Sequence, residues 1–241
     1  VCTVLREAGF SAYVVGGAVR DLLLGIVPKD FDIATDARPE QVKPLFRRAF
    51  IIGRRFRLVH VMIGQETVEV STFRASDPQN GATSDTDQGP LRQDSGHVRD
   101  EHGRVLRDNV FGTQQEDARR RDFTVNALYY DPQTEEVVDF HGGLADLKKR
   151  VLRVIGDPEV RYREDPVRML RAVRIANKLG FEIEKGTAEP IPKLAGLLRE
   201  IPPARLFDEV IKVLQSREAL ANLEGLHRYG LLKQILPVTD A

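Results

Sequence analysis

Residues Val14–Ile33 read VVGGAVRDLLLGIVPKDFDI. The stretch parses as a short apolar strand, two adjacent glycines, a helix start, a turn, and then Asp30-Phe31-Asp32. On an extended strand alternate side chains share a face, so Asp30 and Asp32 are expected on one side and Phe31 on the other. Adjacent carboxylates repel and become tolerable around a divalent cation. Gly16 and Gly17 let a phosphate come close to the backbone, and a helix start beyond them offers N–H groups to an anion. Taken singly, Gly-Gly also fits an ordinary turn and Asp-x-Asp an ordinary solvated strand. Together within twenty residues, with Arg20 at hand for a phosphate, they point to nucleotidyl transfer.

Working outward, Val1–Ala8 reads as a helix end stopped by Gly9. Ala12–Val15 is predicted as the first strand, Ala18–Leu24 as a helix closed by Gly25, and Phe31–Ala34 as the second strand. Pro39 opens a helix expected to reach Phe46. Leu58–Ile63 and Thr67–Thr72 read as hairpin partners turning near Gly64, with Val68 and Val70 on one face and Glu69 on the other. Glu69 is thus a candidate third carboxylate beside Asp30 and Asp32, or equally a solvent-facing strand acid. Ala75–Arg104 is polar and lacks an apolar period, which reads as a loop. Thr113 and Glu116 have capping-box spacing ahead of a helix through Ala118. Leu128–Tyr130 and Val137–Phe140 form a second expected hairpin across Asp131-Pro132.

From Asp157 the period turns helical. Asp165 before Pro166 is a helix start, and Met169, Leu170, Val173, Ala176 and Leu179 supply its apolar stripe. Arg168, Arg171, Arg174 and Lys178 make a cationic stripe on the same helix, which also suits a solvated helix face. An Asp accepts and an Arg donates, so the two one turn apart can read a base edge.

The formal net charge of the 241 residues is zero, so nothing global marks a polyanion partner. The distribution does: Lys148–Lys178 holds ten Lys/Arg against four Asp/Glu, a local +6. Ser76–Asn109 holds seven acids against four Lys/Arg, a local −3. The single cysteine, Cys2, excludes an internal disulfide and a cysteine-rich zinc site, and leaves no disulfide-linked partner expected. The five histidines show no metal-ligand spacing. No apolar run is long enough for a bilayer and no signal peptide is apparent, so no membrane partner and a cytoplasmic setting are expected. A start at Val1 and a stop at Ala241 fit a fragment of a longer protein.

GGAVRDLLLG followed by KDFDIAT resembles the first motif of the class II nucleotidyltransferases. That family joins bacterial poly(A) polymerases to CCA-adding enzymes of tRNA within the polymerase-beta-like superfamily. RRDFTVNAL (120–128) is similar to its second motif, GLADL (143–147) to its third, and EDPVRMLRAVR (164–174) to its base-selecting motif. IIGRRFRLVH (51–60) and PPARLF (202–207) resemble the poly(A) branch; in the former, Arg54, Arg55 and Arg57 alternate with Phe56.

The resemblance implies an α+β fold: a polymerase-beta-like nucleotidyltransferase head, residues 1–140, with a small mixed or antiparallel sheet, then an all-α neck and body, residues 141–241, for base selection and RNA binding. It implies Asp30, Asp32 and Asp122 as catalytic, with Asp30, Asp32 and Glu69 or Asp122 holding Mg2+. Gly16, Gly17, Arg20, Arg121, Asp165, Arg168, Arg171 and Arg174 are expected at the nucleotide, with Asn126 bracing the site. The implied partners are ATP and an RNA 3′ end, the reaction being AMP addition without a template. CCA addition to tRNA uses the same chemistry and is the near alternative. A non-catalytic RNA-binding relative is the far one, although both paired aspartates are present.

Overall fold

The computed structural model describes residues 1–53, 57–75, 98–99, 105–107 and 111–236, the two short stretches between 98 and 107 as backbone only. Arg54, Arg55 and Phe56 lie outside the described residues, as does all but 75 and 98–99 of the polar stretch 75–104. The chain divides into two compact units. The first holds 1–120 and 128–140, and the second holds 121–127 and 141–241.

The first unit runs α1 (Cys2–Glu7), β1 (Ala12–Val15), α2 (Gly17–Leu23), β2 (Asp32–Thr35), α3 (Pro39–Val42), β3 (Ala49–Ile52), β4 (Leu58–Ile63), β5 (Glu66–Thr72), β6 (Val98–Arg99), β7 (Val105–Arg107), α4 (Gln114–Arg120), β8 (Leu128–Asp131) and β9 (Glu136–Asp139). Seven strands form one sheet in the order β3-β4-β5-β2-β1-β8-β9. Only β2 and β5 pair in parallel; the other neighbours are antiparallel. The sheet is therefore mixed.

Its faces sort by alternation. Ala12, Ile33, Val59, Val61 and Val70 pack on one side under Cys2 and Leu5 of α1 and Val42 of α3. Val15, Ala34, Phe73 and Tyr129 pack on the other with Ala118 of α4. The capping box forms: Thr113 N–H donates to Glu116 Oε2 (2.7 Å) and Glu116 N–H to Thr113 Oγ1 (3.2 Å). On α4, Asp117 is fully buried and accepts the Tyr129 hydroxyl at 2.7 Å, fastening the helix to the sheet. The helix expected from Pro39 to Phe46 stops at Val42 and continues as a 3-10 turn, Lys43–Leu45, because Pro44 has no N–H to continue the ladder.

The second unit runs α5 (Gly143–Lys149), β10 (Val151–Leu152), α6 (Pro158–Glu164), α7 (Val167–Leu179), β11 (Glu182–Ile183), α8 (Lys185–Ala188), α9 (Ile191–Leu194), α10 (Pro203–Leu214), α11 (Ala219–Arg228) and α12 (Leu232–Ile235). It is helical apart from the short parallel pair β10–β11. Asp157 caps α6, accepting Val160 N–H at 2.9 Å. Met169, Leu170, Val173 and Ala176 are buried along α7, which ends at Gly180 in the left-handed region. Segment 121–127 belongs to this unit because its backbone is paired there. Thr124 N–H donates to the Arg153 carbonyl and Ile155 N–H to the Asp122 carbonyl, both at 3.0 Å.

Candidate active site

In the first unit the site is built at the end of β1. Val15 is the cross-strand partner of Asp32, so the glycine turn that follows Val15 emerges beside the start of β2. Gly16 has φ +79° and ψ −136°, a region that only glycine visits readily. Its N–H is taken by the Leu128 carbonyl (3.2 Å), which locks the turn onto β8. A Cβ on Gly17 would lie 3.4 Å from Arg20 Nη2, so the Arg20 guanidinium backs the turn. Arg20 was expected at the triphosphate. It is only 5% exposed, with Nε donating to Asp21 Oδ1 at 2.8 Å. In this arrangement it supports the glycine turn from beneath.

Asp30 and Asp32 are both exposed. Regular strand begins at Asp32, one residue later than expected, so Asp30 lies in the approach to β2. Asp32 shares a cross-strand row with Val15, Glu69 and His60. It therefore lies on the opposite face from the core residues Ile33 and Val70. Glu69 is in that row too, but Glu69 Oε1 is 3.4 Å from His60 Nε2. Among the described residues no three His, Cys, Asp or Glu side chains gather as a metal cage. Two hard carboxylates are what Mg2+ takes from a protein when substrate phosphates and water complete its shell, so Asp30 and Asp32 fit that ion.

In the second unit Asp122, Asp165, Arg168, Arg171 and Arg174 each have a charged partner. Asp122 accepts Phe123 N–H (2.8 Å), Asn126 Nδ2 (3.1 Å) and both Arg171 Nε (2.9 Å) and Nη2 (2.5 Å). Burial alone would push its carboxyl up; the Arg171 charge and these donors outweigh it and hold it below the usual range. The same contact pushes Arg171 up, with Asp122 as the main cause. With four donors on it, Asp122 is an anchor for Arg171.

Arg121 gives its carbonyl to Arg161 Nη2 at 2.7 Å. Arg161 Nη1 also holds Glu164 Oε2 (2.6 Å), which Arg168 Nη1 shares (3.1 Å) while bonding the Arg161 carbonyl (2.8 Å). Asp165 Oδ1 accepts Val167 N–H (3.2 Å) and Asp165 Oδ2 accepts Arg205 Nη2 of α10 (2.5 Å). The Asp165 and Arg168 side chains, expected as one base-reading pair, thus each have another partner. Arg174, expected at the nucleotide, is tied through Nε to Glu209 of α10 at 2.6 Å, and Glu209 is 3% exposed.

The poly A polymerase head domain family matches residues 12–153. The chain belongs to that family. A second family, described as the probable RNA and SrmB-binding site of polymerase A, matches residues 180–241. Poly(A) polymerase I of Salmonella typhi is 52% identical over 233 residues, covering 97% of this chain and 48% of that protein. The chain therefore spans about half the length of the curated relatives it matches. The structure of the Bacillus stearothermophilus CCA-adding enzyme in complex with CTP is similar at TM-score 0.76 and 34% identity, over 95% of this chain and 51% of that one. A tRNA nucleotidyltransferase complexed with a primer tRNA and an incoming ATP analog is similar at TM-score 0.74 and 31% identity, over 97% of this chain and 61% of that one.

Within this head-domain frame, sequence reasoning missed Arg161, Arg205 and Glu209, which hold the named residues in place. Arg205 and Glu209 are four apart on α10, and that spacing was the available signal. No helix among the described residues is long and apolar enough to cross a membrane.

Proposed function

We propose that the chain carries the catalytic part of a template-independent RNA nucleotidyltransferase that adds AMP from ATP to RNA 3′ ends. The observation that carries this reading is the exposed pair Asp30 and Asp32 beside the glycine turn, joined by the Val15–Asp32 register. The 52% identity to Poly(A) polymerase I supports adenylate as the transferred group.

The 3′-hydroxyl oxygen forms a bond to the α-phosphorus, the bond from that phosphorus to the bridging oxygen breaks, pyrophosphate leaves, and the hydroxyl proton passes to solvent. Asp30 and Asp32 would hold Mg2+, which supplies charge neutralisation on the triphosphate and an acidified 3′-hydroxyl. The Gly16–Gly17 turn, braced by Arg20, leaves room for the phosphates. Asp122 fixes Arg171 so that its charge does not have to be ordered during the reaction. Asp165 accepts the exocyclic amine of adenine and Arg168 donates to the neighbouring ring nitrogen. Arg121, whose backbone is fixed by the carbonyl bond to Arg161, adds a cation for the phosphates. ATP and RNA as substrates fit the cytoplasm.

Cytosine also presents an exocyclic amine, so the same residues admit CCA addition, the activity for which the structurally similar CTP complex is named. Incubating a short RNA primer with each nucleoside triphosphate separately, with Mg2+, and sizing the products decides between them. An adenine-only ladder is expected. A stop after CMP additions would overturn the poly(A) assignment.

A further inference from the structure

We infer, resting on the nucleotidyl transfer proposed above, that Phe50 of β3 seats a base of the RNA primer a few nucleotides upstream of its 3′ end. One cross-strand row carries this. Phe50 is opposite His60, His60 opposite Glu69, Glu69 opposite Asp32, and Asp32 opposite Val15. Residues directly opposite share a face, so the side chains from Phe50 to Asp32 all stand on one side of the sheet. At the Val15 end that face is closed, Val15, Ala34, Phe73 and Tyr129 being buried with Ala118. Toward β3 it is open. Glu69 is exposed, His60 is half-buried, and Phe50 keeps 55% of its surface in solvent. Ile52, two residues on and so on the same face, is exposed as well.

The direction of the reaction gives this open face its use. An in-line displacement needs the entering hydroxyl and the departing pyrophosphate on opposite sides of the α-phosphorus. The Gly16–Gly17 turn follows Val15, on the β1 side of Asp32. With the phosphates there, the 3′-hydroxyl enters from the β5 side, and the primer behind it runs over Glu69 and His60 toward β3. Three strand spacings, about 14 Å, separate Phe50 from Asp32, which is roughly four nucleotides at a stacked rise of about 3.4 Å. An exposed phenyl ring at that distance offers a stacking face that any base accepts. Arg47 and Arg48, both exposed just before β3, supply cations for the backbone phosphates of the same stretch.

The test compares octaadenylate and diadenylate as primers for the 241-residue chain and its Phe50→Ala, Phe50→Leu and Phe50→Tyr variants. Ile63→Ala is the control, an exposed apolar residue of β4 that alternation puts on the opposite face. One stacked base is worth about tenfold, so Phe50→Ala and Phe50→Leu should raise both the KM for octaadenylate and its Kd by fluorescence anisotropy about that much. Phe50→Tyr and Ile63→Ala should stay close to the parent. Diadenylate, too short to reach β3, should be extended equally by every variant, and kcat and the KM for ATP should not move. Parent-like octaadenylate affinity in Phe50→Ala and Phe50→Leu, each melting like the parent, would overturn the seat. So would an equal loss with both primers, which marks a disturbed sheet. Self-association of the parent that Phe50→Ala abolishes, with octaadenylate affinity unchanged, would give the ring to a second copy and overturn it too. A chain that holds octaadenylate through Phe50 yet adds no nucleotide overturns the proposed function and leaves the seat standing.

Discussion

Asp32 and Asp122 are both aspartates of family motifs, yet they sit under opposite physical conditions. Asp32 is exposed at the first residue of a strand, with another exposed aspartate two residues before it. Asp122 is largely buried, carries four hydrogen bonds and is held below the usual carboxylate range. A group that must take up and release a metal–nucleotide complex has to remain open to solvent and ligand exchange. A group that fixes geometry works best when its own valences are filled. The contrast extends to the neighbours: the first unit offers two exposed acids at the start of β2, whereas the second offers arginines already aimed by carboxylates.

Substitutions can break or sharpen that contrast. Asp32→Asn should lower AMP incorporation by about a thousandfold or more, the equivalent of several kcal/mol of lost charge stabilisation, with an unchanged melting curve. Stopped-time primer extension and circular dichroism check both halves. Arg174→Ala should act the other way. It leaves Glu209 nearly without compensation, Lys212 being 3.8 Å away and largely exposed, and should cost about 2–3 kcal/mol in urea unfolding.

Asp122→Asn should cost about 2 kcal/mol, less than a fully enclosed pair because Arg171 keeps a third of its side chain in solvent. A depressed acid stabilises fully above its ordinary pKa and loses that contribution as pH falls through the folded-state value. The gap between parent and Asp122→Asn should thus be constant at neutral pH and close only below 3.8, where unfolding at stepped pH will read it. Gly16→Ala, forced into φ +79°, should lower stability by about 1–2 kcal/mol in thermal unfolding. Glu69→Gln should change the rate by less than about tenfold, since His60 already engages that carboxylate.

The sequence exposed what depends on local period and spacing. The apolar run Leu58–Ile63, the alternation of Thr67–Thr72, the Thr113–Glu116 cap, the α7 stripe and the Asp30–Asp32 pair are all properties of neighbouring residues. It concealed what depends on remote partners. Segment 121–127 joins the second unit through backbone bonds to residues about 30 positions later, which no window around RRDFT contains. Helical spacing shows the Arg174 charge and hides the glutamate 35 residues away that bonds it. The burial of Arg20 is hidden for a similar reason: it comes from the surrounding fold, although its partner is the adjacent Asp21. The edge strand β3 went unread because it is short and follows two arginines.

The metal assignment is tested most directly by a Mn2+ titration followed by electron paramagnetic resonance, with a non-hydrolysable ATP analogue present. The parent chain and an Asp30→Asn/Asp32→Asn variant are compared, with Asp122→Asn alongside. The signal of free Mn2+ should be quenched by the parent and by Asp122→Asn, and should remain in the double variant. Equal quenching by the double variant and the parent would contradict the assignment of the metal to Asp30 and Asp32.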